Sequence, residues 1–185
     1  ALEVADLRAA IRQDSPSALL IDINCLGAMM VAESSGLPWA VYCPHPPALR
    51  SRDAPPFGPG LTPRGPLTAI RDPFVHRRAD RIWNAGLRQL NAMRLGLGLE
   101  PVAHLHVQQY LRAQRLICFT AEPFEYPRRD WPESFRLVGP ALWEPASAPP
   151  RWLAAETRPT VLVTASTAYQ ADELLISTAL AALAD

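Results

Sequence analysis

The sequence predicts an α/β fold built on a parallel sheet, and three observations lead there. Short apolar runs at residues 18–21, 39–42 and 116–120 alternate with stretches of helical periodicity. The run 18–21 is apolar on both faces, as a central parallel strand is expected to be, and it ends on a single acid, Asp22. Between it and 39–42 lie a helix of small residues and then Gly36-Leu37-Pro38, a helix stop followed by a strand start. The segment therefore reads as a β-α-β unit with a carboxylate at the carboxyl end of its first strand. Open parallel sheets bind ligands at that edge.

Each element follows in order. Residues 2–13 place Val4, Leu7 and Ile11 on one helical face. Asp14-Ser15-Pro16-Ser17 makes a turn. A helix over 26–35 meets Gly36, which suits the left-handed C′ position. The strand 39–42 then returns parallel to the first by a right-handed crossover. Residues 44–66 are dense in proline and glycine, carry Phe57 and lose all periodicity. A loop this long is either functional or disordered. Because it follows the carboxyl end of a strand, a substrate-contacting role is expected.

Residues 74–95 read as one long helix with Trp83, Leu87 and Leu90 on one face and Gly96 as its cap. Its Arg77, Arg78 and Arg81 read as a solvated face. A short helix at 107–112 precedes the strand 116–120, and a short strand at 136–139 ends on Gly139-Pro140. Residues 143–158 have linker composition, with a helical turn at Trp152-Leu153. A fresh buried strand is expected at 160–164 (TVLVT), then a polar loop. A helix follows over 172–184 with Ile176, Ala179, Leu180 and Leu183 on one face.

Composition excludes several function classes. Eighteen basic and eighteen acidic side chains balance, so no electrostatic footprint for nucleic acid or an anionic membrane is expected. No apolar run approaches the roughly 20 residues of a membrane helix, and no signal-peptide pattern opens the chain. There is no lysine, which removes the Walker phosphate loop and Schiff-base chemistry. Cys25, Cys43 and Cys118 form no C-x-x-C pair and read as small buried apolar residues. A reducing cytoplasm fits. His104 and His106 flank Leu105 without a third ligand nearby, so no metal site is expected.

The stretches LLIDINCLGAMMVAESSGLPWAVYCP, PFEYPRRDWPESFRLVGPALW and PTVLVTASTAYQADELLISTALAALAD, with the proline-containing connector before Trp152-Leu153, resemble one family. It is the nucleotide-sugar-dependent glycosyltransferases of the GT-B fold, nearest the bacterial macrolide and antibiotic group. The resemblance implies two Rossmann-like doubly wound domains. Residues 1–142 would be the later part of an N-terminal acceptor domain, 143–158 the interdomain linker and 159–185 the opening of a nucleotide-sugar-binding domain. The family's Gly-His loop and its His-Gly-Gly stretch have no counterpart here. The chain thus looks like an internal piece of a protein about twice its length, inactive alone.

The resemblance also implies a metal-independent, inverting transfer of sugar from a UDP- or dTDP-sugar to a hydroxyl of an apolar natural product, without a resident cofactor. Asp22 matches the carboxylate that orients a catalytic histidine. Thr164, Ser166 and Thr167 match the loop that touches the donor's phosphates, where a helix N-terminus supplies free N–H groups. Asn24, Cys25, His45, Phe57 and Trp83 would line the acceptor pocket. Asp172 and Glu173 would sit further into the following helix, away from the phosphates. His45, among prolines in a loop, reads as a packing or solvated residue rather than the base. The alternative is a non-catalytic small-molecule-binding module. A nicotinamide-dependent reductase lacks its G-x-G-x-x-G after a strand, and an α/β hydrolase lacks G-x-S-x-G.

Overall fold

The computed structural model describes residues 2–45, 47–57, 60–62, 65, 67–104, 107–166 and 171–183. The chain divides into two compact units, Ala1–Leu142 and Trp143–Asp185.

The first unit holds helix α1 (Leu2–Asp14), strand β1 (Leu19–Asp22), α2 (Leu26–Ser35), β2 (Trp39–Cys43), α3 (Thr68–Trp83), α4 (Leu87–Gly96), α5 (Val107–Tyr110), β3 (Arg115–Cys118) and β4 (Phe135–Leu137). The strands form one all-parallel sheet in the order β1-β2-β3-β4. Ile21, Val41, Leu116 and Phe135 are register partners and make one continuous buried rung across it. Removing side chains of this kind from water contributes about 1.5–3 kcal/mol each. Met29 and Ala32 of α2, Tyr110 of α5 and Leu49 of the proline-rich loop pack in the same cluster. The adjacent rung, Asp22, Tyr42, Ile117 and Arg136, is only partly covered, and Arg136 is exposed.

The expectation of a central first strand is corrected here. Among the described residues β1 is an edge strand paired to β2 alone, and Leu20 is 57% exposed. Its apolar run fits a covered strand, but neighbours, rather than composition, decide coverage.

Helix α2 is held at both ends. Gly36 adopts φ 74° at its C-terminus, where a side chain would be strained. At its N-terminus the Gly27 N–H donates to Glu3 Oε2 at 2.7 Å, so a carboxylate from α1 caps α2. A Cβ on Gly27 would lie 2.8 Å from that oxygen and 2.9 Å from Glu3 Cβ, so glycine is what lets α1 approach. On α1, Val4, Leu7 and Ile11 are the half-buried stripe.

The single helix expected over 74–95 is two helices. A 3-10 turn at Asn84–Gly86 separates α3 from α4, where glycine lowers helix propensity. Helix α3 starts upstream of Pro73, its first turn fastened by Thr68 Oγ1 on the Gly65 carbonyl and Arg71 Nη2 on that of Thr62. The left-handed glycine after α4 is Gly98 at φ 76°, not Gly96, which remains helical.

The second unit departs furthest from expectation. Helices α6 (Arg151–Ala155) and α7 (Glu173–Ala182) form, but residues 160–164 are not a strand. Leu162 is 87% exposed there. A strand exists only through a hydrogen-bonded neighbour, and no described residue supplies one. Likewise Ile176, Leu180 and Leu183 are exposed rather than buried.

Candidate functional site

The carboxyl ends of β1 and β2 bring several polar groups together. Asp22 and Tyr42 are register partners. Asp22 Oδ1 accepts from the Asn24 backbone N–H at 2.8 Å and from Asn24 Nδ2 at 3.0 Å, while the Tyr42 hydroxyl donates to the same carboxylate. Partial burial pushes the Asp22 pKa up. The donors from Asn24 and Tyr42 and the nearby His45 side chain outweigh it, leaving Asp22 below its ordinary value. Conversely, the bond to Asp22 raises the Tyr42 pKa. Tyr42 is further fixed by stacking on Phe119 at 5.7 Å. The arrangement keeps a charged carboxylate in one orientation at the sheet edge. It can accept a proton-bearing partner and stabilise positive charge there.

Cys25 adjoins this group, and burial pushes its thiol pKa up, with Glu3 and Asp22 adding to the effect. His45 is exposed, with Nδ1 3.8 Å from Cys43 Sγ. Cys43 and Cys118 are buried register partners whose thiols both donate to the His45 carbonyl. The closeness of the two thiols lowers the Cys43 pKa to about 7 and raises that of Cys118.

A second cluster forms between the proline-rich loop and α3. Phe57 and Trp83, far apart in sequence, line one cavity of about 50 Å3 together with Leu49, His76 and His104. Burial and then Arg50 lower the His76 pKa. A neighbouring cavity of about 340 Å3 shares Arg50, Asp80 and His104 and continues to Gln108 and Trp131. Arg50 and Asp80 form an ion pair between the two. The loop is fastened rather than loose. Asp53 holds Arg129 Nη2 at 2.7 Å, and Asp130 accepts from Ser51 Oγ and the Arg52 N–H at 2.8 Å each. Asn24, Cys25 and His45 thus lie with Asp22, whereas Phe57 and Trp83 lie in the cavity beside α3.

In the second unit Thr164 and Ser166 are exposed, and Thr167 lies outside the described residues, as does His106. Asp172 stands just before α7, and its carboxylate turns back to accept the Ser166 N–H at 2.6 Å. This corrects the expectation that it sits deeper in the helix, because a loop amide without another acceptor takes the nearest carboxylate. That bond lowers the Asp172 pKa. Among the described residues no group of three or more His, Cys, Asp or Glu side chains is placed to hold a metal ion. No described helix is long and apolar enough to cross a membrane.

Sequence reasoning missed Tyr42 as a partner of Asp22. The available signal was positional, since the acid is three residues past Leu19 and the tyrosine three past Trp39, the pair that opens the ladder. It also missed His76, although His76, Ala79, Asp80 and Trp83 follow the i, i+3, i+4, i+7 spacing of one helix face.

No protein-family model matches the chain. It is 31% identical over 189 residues to 4'-demethylrebeccamycin synthase of Lentzea aerocolonigenes, an alignment that takes in 98% of this chain. The chain spans 45% of that relative's length.

Proposed function

We propose that this chain is part of a glycosyltransferase that moves a sugar from a nucleotide-diphosphate donor to a hydroxyl of an apolar natural product. The observation that carries the reading is the Asp22 carboxylate, held ionised at the carboxyl end of β1 by Asn24 and Tyr42. The similarity to 4'-demethylrebeccamycin synthase, itself a glycosyltransferase, supports the same reaction class.

In this reading Asp22 orients an imidazole base supplied from outside the 185 residues and steadies the imidazolium as the base takes the acceptor's proton. The acceptor oxygen then bonds to the anomeric carbon from the face opposite the departing nucleotide diphosphate, which inverts the centre. Thr164, Ser166 and Thr167 offer hydroxyls to the UDP or dTDP phosphates, without a metal. Asn24, Cys25 and His45 flank the reacting hydroxyl, and the cavity of Phe57 and Trp83 takes apolar acceptor surface.

The test is Asp22→Asn in the complete enzyme. Turnover falls about 100- to 10,000-fold with donor binding retained. His45→Ala in the same background is the control for the base. If His45 only packs, turnover changes by less than about tenfold, far short of the loss of an essential base. Near-normal turnover of Asp22→Asn removes the carboxylate from the mechanism.

A further inference from the structure

We infer that the outward face of α3 docks on an anionic lipid surface. The helix carries six formal charges, Arg71, Asp72, Arg77, Arg78, Asp80 and Arg81, and the fold sorts them by sign. Both acids are half-buried and ion-paired, Asp72 with Arg71 and Asp80 with Arg50. Arg77, Arg78 and Arg81 are exposed and make no ion pair among the described residues. A chain with no net charge thus presents three unpaired guanidinium groups on one helix.

Apolar side chains share that face. At about 100° per residue, Leu67, Ile70 and Phe74 fall on the same arc as Arg78 and Arg81, with Arg77 at its margin. The three are 67%, 75% and 68% exposed. A solvated face would carry acids among its arginines and few large apolar groups. A helix with apolar residues beside unpaired arginines matches the boundary between acyl chains and anionic headgroups, where the apolar groups enter and the guanidinium groups hold phosphate. The opposite arc of α3 carries His76, Ala79, Asp80 and Trp83, which line the cavity beside Phe57. A docked helix therefore puts that cavity one helix width from the lipid. The docking does not depend on the sugar-transfer reading.

The experiment is co-sedimentation of the purified chain with vesicles, pure phosphatidylcholine against phosphatidylcholine containing phosphatidylglycerol. Binding to the anionic vesicles alone, lost at about 1 M salt where the screening length is about 3 Å, supports the proposal. The triple variant Arg77→Gln/Arg78→Gln/Arg81→Gln should bind roughly 100-fold more weakly. Ile70→Ser/Phe74→Ser should weaken binding at unchanged charge. These are surface positions, and circular dichroism verifies that each variant keeps its helix content. Absence of binding, equal binding to both vesicle types or unchanged binding by the triple variant overturns the proposal. So does self-association abolished by Phe74→Ser without vesicle binding, or capture of an acidic polypeptide without vesicle binding.

Discussion

The guanidinium of Arg94 and the carboxylate of Glu33 meet through two parallel hydrogen bonds of 2.8 and 2.9 Å across 61 residues of sequence. The Arg94 side chain is fully buried, and it also donates to Gln109 Oε1 at 2.7 Å and to the Glu100 carbonyl at 2.7 Å. One cation thus joins α2, α4, the turn after α4 and α5. Because α2 follows Asp22 directly, this lock fixes the helix behind the candidate carboxylate.

Replacing Glu33 by Gln leaves the Arg94 charge buried without its counter-ion. Breaking such a pair costs about 3–5 kcal/mol. Urea unfolding of the Glu33→Gln chain should show that loss, and Arg94→Met/Glu33→Leu together should recover much of it. A loss below about 1 kcal/mol in the single variant would mean the pair is solvated.

Asp22 titrates below its ordinary value of 3.8. A depressed acid contributes stability that is present above the ordinary value and is lost as pH falls through the lowered one, so its effect is confined to the region below about pH 4. Tyr42→Phe removes one donor to the carboxylate. The Asp22 midpoint, followed by carboxyl-carbon NMR, should move upward while the far-UV spectrum is unchanged. An unmoved midpoint would show that Tyr42 does not hold the carboxylate in solution.

The clamp between the proline-rich loop and the β3–β4 connection consists of one exposed ion pair, Asp53 with Arg129, which contributes about 0.2–1 kcal/mol, and of the exposed hydrogen bonds that Asp130 accepts from Ser51 and Arg52. Asp53→Ala/Asp130→Ala should therefore barely change global unfolding. Hydrogen exchange at residues 51–57 should rise severalfold, and limited proteolysis should cut there first. Unchanged exchange would assign the loop's order to the buried Leu49 and Ala54 instead.

Much of the first unit was legible in the sequence because its signals are local. Gly36 and Pro38 bound α2 to the residue, and the β1–β2 pairing follows from the crossover. What could not be read depends on neighbours. Residues 18–21 have the composition of a covered strand, yet Leu20 faces solvent because coverage belongs to the next element. The stretch TVLVT has strong strand composition and no described partner. The break at Asn84–Gly86 hides inside an apolar period that continues from Trp83 to Leu87. At the candidate site the acid was visible as a strand-end residue. Its hydroxyl donor was not, because Tyr42 reaches it only through interstrand register.

The outer backbone of β1 has consequences for how Asp22 can acquire a partner. A segment zipped in parallel along that margin would advance in step with the ladder, at about 4.8 Å from it. The residue just past the end of that segment would then emerge level with the carboxylate and one inter-chain spacing away. Backbone hydrogen bonding, not the placement of any particular side chain, would aim the incoming group.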